Sequence, residues 1–131
     1  MIQLSASPIV SIIDDDESSR IAAESLVASL GYSALTFASA EAFLASGDLA
    51  RTSCLITDIQ LPGMSGLDLQ DHLRAEGHRL PVIFVTAYPE PKRQRRAEAA
   101  GALAFFEKPF DGALLIARIT EALDPKRMPE T

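Results

Sequence analysis

A chain of 131 residues with 47% hydrophobic and 23% charged content suits a single globular domain with one core. Its formal net charge of -6 speaks against a general nucleic-acid binder, which is usually basic. The lone Cys54 excludes an internal disulfide, and no apolar stretch is long enough to span a membrane. Cys54 lies inside an apolar run and reads as a small buried hydrophobe. The N-terminal residues lack the pattern of a signal peptide, so a cytoplasmic location is expected.

Five short apolar segments alternate with helical patterns, the rhythm of repeated strand–helix units. The first strand is expected at Ile9–Ile13. A helix over Ser18–Leu30 follows, with Ala23, Leu26, Val27 and Leu30 inward, and Gly31 ends it. The second strand is Ser33–Phe37. Ser39 then caps a helix whose buried side is Ala42, Phe43 and Leu44. The third strand, beginning at Cys54, ends at Asp58. Ser65 or Gly66 opens the next helix, which runs to Ala75 ahead of Gly77. The fourth strand, Val82–Thr86, is apolar nearly throughout, as suits a central parallel strand covered on both faces. Pro89 and Pro91 delay the following helix to Lys92–Ala100, and Gly101 stops it. The fifth strand is Ala104–Glu107. Asp111 caps the last helix, Leu115, Ile116, Ile119 and Leu123 form its inward stripe, and Pro125 ends it. The domain is expected over residues 8–124, between an N-terminal extension (1–7) and a C-terminal tail (125–131).

Right-handed crossovers put the helices on both faces of a parallel sheet. Ligands of such sheets bind at the carboxyl ends of the strands. Polar groups stand at those ends: Asp14-Asp15-Asp16-Glu17, Asp58, Thr86 and Lys108. Crowded carboxylates repel one another, and a divalent cation relieves the conflict. An all-oxygen donor set selects a hard ion, and Mg²⁺ commonly binds through one or two carboxylates. An Asp beside such an ion can attack phosphorus, with Lys108 as a point charge and Thr86 as a hydrogen-bond donor for phosphoryl oxygens. Each piece also has a structural reading. The acidic run favours a helix N-terminus, Asp58 suits the turn before Pro62-Gly63, and Lys108-Pro109 suits an ordinary loop. Only their convergence argues for chemistry.

These motifs resemble the response-regulator receiver domain of two-component signalling. They are Ile12-Ile13-Asp14-Asp15-Asp16-Glu17, Asp58 with Leu61-Pro62-Gly63-Met64-Ser65-Gly66, Thr86-Ala87 and Lys108-Pro109-Phe110. The similarity spans Pro8–Leu123. Thr36-Phe37-Ala38-Ser39-Ala40 and the residues around Lys108 are most similar to the FixJ-like subfamily. The resemblance implies an α/β, doubly wound, flavodoxin-like (βα)5 fold with a five-stranded parallel sheet in the order 2-1-3-4-5. It implies Asp58 as phosphoacceptor and Asp15 and Asp58 as direct ligands of Mg²⁺ (or Mn²⁺). Asp14 would act largely through bound water, and the Gln60 backbone carbonyl would complete the protein ligands. Thr86 and Lys108 would read the phosphoryl group. Phe105 falls at the switch aromatic, where Tyr is frequent, and the Lys108–Pro109 peptide is expected to be cis. Thr86 would move toward the phosphoryl group and vacate space that Phe105 fills.

The implied partners are a sensor histidine kinase or histidine phosphotransfer protein, and a downstream protein bound by the face of the fourth helix, fifth strand and fifth helix. Direct nucleic-acid binding and membrane contact are not expected, and a weak homodimer is open. Gln60 and Tyr88 flank the expected phosphoryl site and would tune water access, although an exposed loop aromatic is the alternative for Tyr88. Lys92, Arg93, Arg95 and Arg96 form a solvated helix face or a docking surface, with a nucleic-acid role the remainder because no interleaved aromatics could stack on bases. His72 and His78 read as surface residues. A stand-alone regulator is favoured, with the receiver of a longer transcriptional regulator as the alternative. An Asp-nucleophile Mg²⁺ phosphatase is the enzyme rival. It needs a second Asp where this chain has Gln60, so no turnover beyond autocatalytic phosphoryl acceptance and slow self-dephosphorylation is expected.

Overall fold

The structure, a computed structural model, describes residues 8–123. The expected extension and tail, and the stop at Pro125, lie outside the described residues. In chain order the elements are β1 (Ile9–Ile13), α1 (Glu17–Ser29), β2 (Ser33–Phe37), α2 (Ala40–Ser46), a 3-10 turn (Leu49–Arg51), β3 (Cys54–Asp58), α3 (Gly66–Ala75), β4 (Val82–Thr86), α4 (Pro91–Ala99), β5 (Ala104–Glu107) and α5 (Gly112–Leu123). All strand pairs are parallel, and the sheet order is β2-β1-β3-β4-β5. That is the expected flavodoxin-like arrangement.

Every residue of β3 and β4 is buried. The two strands lie inside the sheet, with apolar side chains on both faces and their backbone groups consumed by neighbours. One core layer unites Phe43, Leu55, Leu69, Leu73, Phe84 and Ala97 beneath α2, α3 and α4. The other unites Val10, Ile12, Val27, Ile56, Ile83, Leu115 and Ile119 beneath α1 and α5. The alternation along β1, Val10 and Ile12 to one layer and Ile13 to the other, follows from the two-residue period of a strand. No described helix is long and apolar enough to cross a membrane.

The boundaries of α1 and α4 differ from the sequence expectations by single residues. Helix α1 starts at Glu17 because the Asp16 carboxylate accepts from the Ser19 N–H at 2.8 Å and acts as N-cap. Helix α4 starts at Pro91, where the missing N–H is not needed and the fixed φ suits a first turn. In α2, Ala40 is buried and Ala42 is exposed, contrary to expectation. Ser39 caps this helix as expected, but the inward face pairs Phe43 with the residue three before it. Asp111 accepts from the N–H groups of Ala113 and Leu114 and so opens α5, as expected.

Candidate functional site

The acidic run after β1 divides its labour. Asp14 turns inward and is 3% exposed. Its Oδ1 accepts from the Asp16 N–H at 3.0 Å, and its own N–H continues the ladder to the Phe37 carbonyl. Asp15 is exposed, Asp16 caps α1, and Glu17 lies in the first helical turn. The helix-terminus reading therefore holds for the last two acids of the run.

Asp58 ends β3 and is 6% exposed. One carboxylate oxygen of Asp14, Asp15 and Asp58 lies within 4.8 Å of each of the others. Among the described residues this is the one such cluster, and neither His72 nor His78 belongs to one. Lys108, the residue after Glu107 at the end of β5, reaches across the strand ends. Its Nζ lies 2.8 Å from Asp14 Oδ2 and 2.9 Å from Asp58 Oδ2. The Lys108–Pro109 peptide is cis, as expected. The Lys108 N–H donates to the Thr86 carbonyl at 2.8 Å, which extends the β4–β5 ladder and fixes where the side chain starts.

The electrostatics follow from this packing. Burial pushes the Asp58 carboxyl above the ordinary carboxylate range, and the bonds from Lys108 and the Gln60 N–H only partly offset that push. Burial also pulls the Lys108 ammonium down, but its contacts with Asp14 and Asp58 together outweigh it, and the group sits above the ordinary lysine value. One cation thus serves two carboxylates, and Asp58 remains under-stabilised as an anion. An all-oxygen cluster short of positive charge fits a hard divalent cation.

Thr86, fully buried, ends β4, and its Oγ1 accepts from the Tyr88 N–H at 3.2 Å. Tyr88 is 68% exposed. A cleft of about 400 Å³ is lined by Asp15, Asp16, Ser19, Asp58, Gln60, Ala87, Tyr88 and Lys108. The Gln60 N–H donates to Asp58 Oδ1 at 3.1 Å. Phe105 is half-buried, and its ring centroid lies 6.5 Å from that of Phe84.

Two contributors went unread in the sequence, and a third was read only as a helix start and motif residue. Glu41 on α2 accepts from the Met64 N–H at 2.7 Å and ties down the loop after Asp58. Arg20 on α1 donates to the Asp14 carbonyl at 2.7 Å. Gly66 packs so tightly that a Cβ there would lie 2.2 Å from the Asp58 carbonyl oxygen. Only the last had a sequence signal, a glycine at the helix start.

The chain is similar to known proteins in sequence and in fold. The response regulator receiver domain family matches residues 10–120. The chain is 39% identical over 115 residues to the response regulator protein TodT of Pseudomonas putida, covering 88% of this chain and 51% of that protein. It is 38% identical over 114 residues to the transcriptional regulatory protein FixJ of Azorhizobium caulinodans, covering 87% and 54%. It spans about half the length of these curated relatives. Among solved structures, a response regulator receiver protein from Pseudoalteromonas atlantica superposes with a TM-score of 0.85 at 27% identity, covering 91% of this chain and 99% of that one. The response regulator StyR superposes at 0.82 with 37% identity, covering 90% and 60%. The chain belongs to the response regulator receiver domain family.

Proposed function

We propose that Asp58 accepts a phosphoryl group from a phosphohistidine on a sensor kinase or phosphotransfer protein, and that the aspartyl phosphate is the signal. The observation that carries this reading is the under-stabilised Asp58 carboxylate, held between Lys108 and the Gln60 N–H and opening on a cleft. A carboxylate oxygen of Asp58 forms the new O–P bond as the donor's N–P bond breaks. Lys108 then exchanges a carboxylate for phosphoryl oxygens, and Thr86 turns its hydroxyl from the Tyr88 N–H toward them. Asp15, Asp58 and the Gln60 carbonyl would hold Mg²⁺ or Mn²⁺ directly, with Asp14 acting through water. Such an ion supplies charge neutralisation for the carboxylates and the phosphoryl oxygens. Positioning and charge neutralisation are most of what phosphoryl transfer asks of a protein.

The added group brings about -1.5 to -2 charge near neutral pH. Movement of Thr86 would be felt by Phe105 and passed to the α4-β5-α5 face, the proposed partner surface. Because the Phe105 ring already packs near Phe84, this reading assigns the larger displacement to the Thr86–Tyr88 turn and to α4. Gln60 and Tyr88 border the cleft and would set how readily water reaches the aspartyl phosphate. The reading favours cytoplasmic signalling over catalysis, with Gln60 where a phosphatase would place a second acid.

Two arrangements suit such a domain. One is a stand-alone regulator. The other, a receiver feeding an output domain of a longer transcriptional regulator, is favoured by relatives about twice as long and named as such. Incubation with acetyl phosphate and Mg²⁺, followed by intact-mass analysis, tests the core of the reading. The expected result is one phosphoryl group gained, lost in Asp58→Ala and lost with EDTA. Steady turnover of many phosphate esters would replace it with the phosphatase reading.

A further inference from the structure

We propose that the groove between α3 and α4 is a docking site for an acidic, apolar segment of a protein partner. Helix α4 is strongly polar, but its cations are not spread evenly. Lys92, Arg93 and Arg96 line a groove of about 450 Å³ whose floor includes Leu61 and Leu67. Gln94 and Glu98, bonded to each other at 3.1 Å, take a different face. In a chain of net charge -6, three of the 12 Lys and Arg residues thus line one apolar-floored cleft.

The cations differ in how far they are already satisfied. Arg96 bridges the helices, 3.1 Å from Asp68 and 2.6 Å from Asp71. Arg93 Nε lies 3.2 Å from Glu90, while its Nη1 is buried with no hydrogen-bond partner among the described residues. Lys92 is exposed and makes no ion pair among the described residues. A buried guanidinium donor without a partner is costly, and a carboxylate entering the groove would satisfy it with a charge-assisted bond as the side chain turns outward. With Glu90 already paired to Arg93 and both Asp68 and Asp71 to Arg96, the unsatisfied positive character lies in Lys92 and the unbonded Arg93 Nη1, which suits one carboxylate. No aromatic side chain lines the groove to stack on bases, and the acidic chain as a whole repels a polyanion. The apolar floor between the charges selects a Leu- or Ile-like side chain beside the acid.

Selection of a random dodecapeptide display library against the full chain tests it. The enriched peptides should carry Asp or Glu next to a large aliphatic residue. By fluorescence anisotropy, Lys92→Glu and Arg93→Gln should each weaken them about tenfold, the effect of losing one charged hydrogen bond. Arg95→Glu, on the same helix but outside the groove, should change affinity less than twofold; the thermal melts of all three should match the parent. Absence of enrichment, a consensus without acids, or equal weakening by Arg95→Glu would overturn the proposal. So would a duplex DNA oligonucleotide binding in place of the peptides.

Discussion

Replacing Lys108 by Met tests the electrostatic account of the site, because it removes the shared cation and keeps most of the aliphatic stem. In the structure Nζ sits 2.8 Å from Asp14 and 2.9 Å from Asp58, with side-chain exposures of 14%, 4% and 8% for Lys108, Asp14 and Asp58. At an effective dielectric near 20, each contact is worth about 6 kcal/mol in gross Coulomb energy. Desolvation of the three groups consumes most of that gain. Breaking a buried pair by removing one partner nevertheless costs about 3–5 kcal/mol, because the remaining charge is stranded. Lys108 keeps some contact with water, so the loss should lie near the lower end, about 3 kcal/mol. Urea denaturation at neutral pH in EDTA reads it as a lower midpoint at unchanged slope. Asp58→Asn should be neutral or stabilising in the same assay, since burial already disfavours that anion. The double variant should recover much of the Lys108→Met loss. A loss below about 1 kcal/mol for Lys108→Met, or no recovery in the double variant, would refute the reasoning.

Gly66→Ala should cost about 2–3 kcal/mol in thermal unfolding, because its Cβ meets the Asp58 carbonyl oxygen at 2.2 Å and backbone must yield; a melt unchanged from the parent would contradict that contact. Phe84→Ala, which opens a cavity in the α2-α3-α4 layer, should cost about 3–5 kcal/mol in urea. Arg96→Ala should cost less than about 1 kcal/mol, and the difference should fade in high salt, since both its carboxylate partners are exposed. The Met64 N–H holds the Glu41 carboxyl below its ordinary value of 4.5. Its contribution to stability is therefore present at neutral pH and lost as pH falls through the folded-state value. The Met64 amide resonance should titrate with a midpoint under 4.5, and Glu41→Gln should abolish that titration.

Much of this molecule is legible in local pattern. The strands β2, β4 and β5 lie where their apolar runs put them, because short runs bounded by glycine, proline and capping residues admit few alternatives. The candidate site was legible for a second reason. Parallel order brings successive strand ends to one edge, so Asp14, Asp58, Thr86 and Lys108 could be placed together before any distance was known.

Other properties required the packed chain. The acids Asp14 to Glu17 are chemically alike, and only the path from β1 into α1 decides that Asp14 is buried while Asp16 caps. Ala40 and Ala42 have equal hydrophobicity, and the phase of α2 against the sheet buries the first. Glu41 and Met64 are separated by 23 residues and Lys108 and Asp58 by 50, so no local pattern announces either contact. The cations of α4 read as one basic cluster, and only the packing against α3 turns three of them toward an apolar groove. Sequence by itself determined the strand–helix rhythm and the edge at which polar groups meet, through short-range periodicity and crossover handedness, while the strand order came from the family resemblance. Tertiary structure decided which charge faces which, because pairing energies depend on ångström-scale distance and burial that residue order does not encode locally.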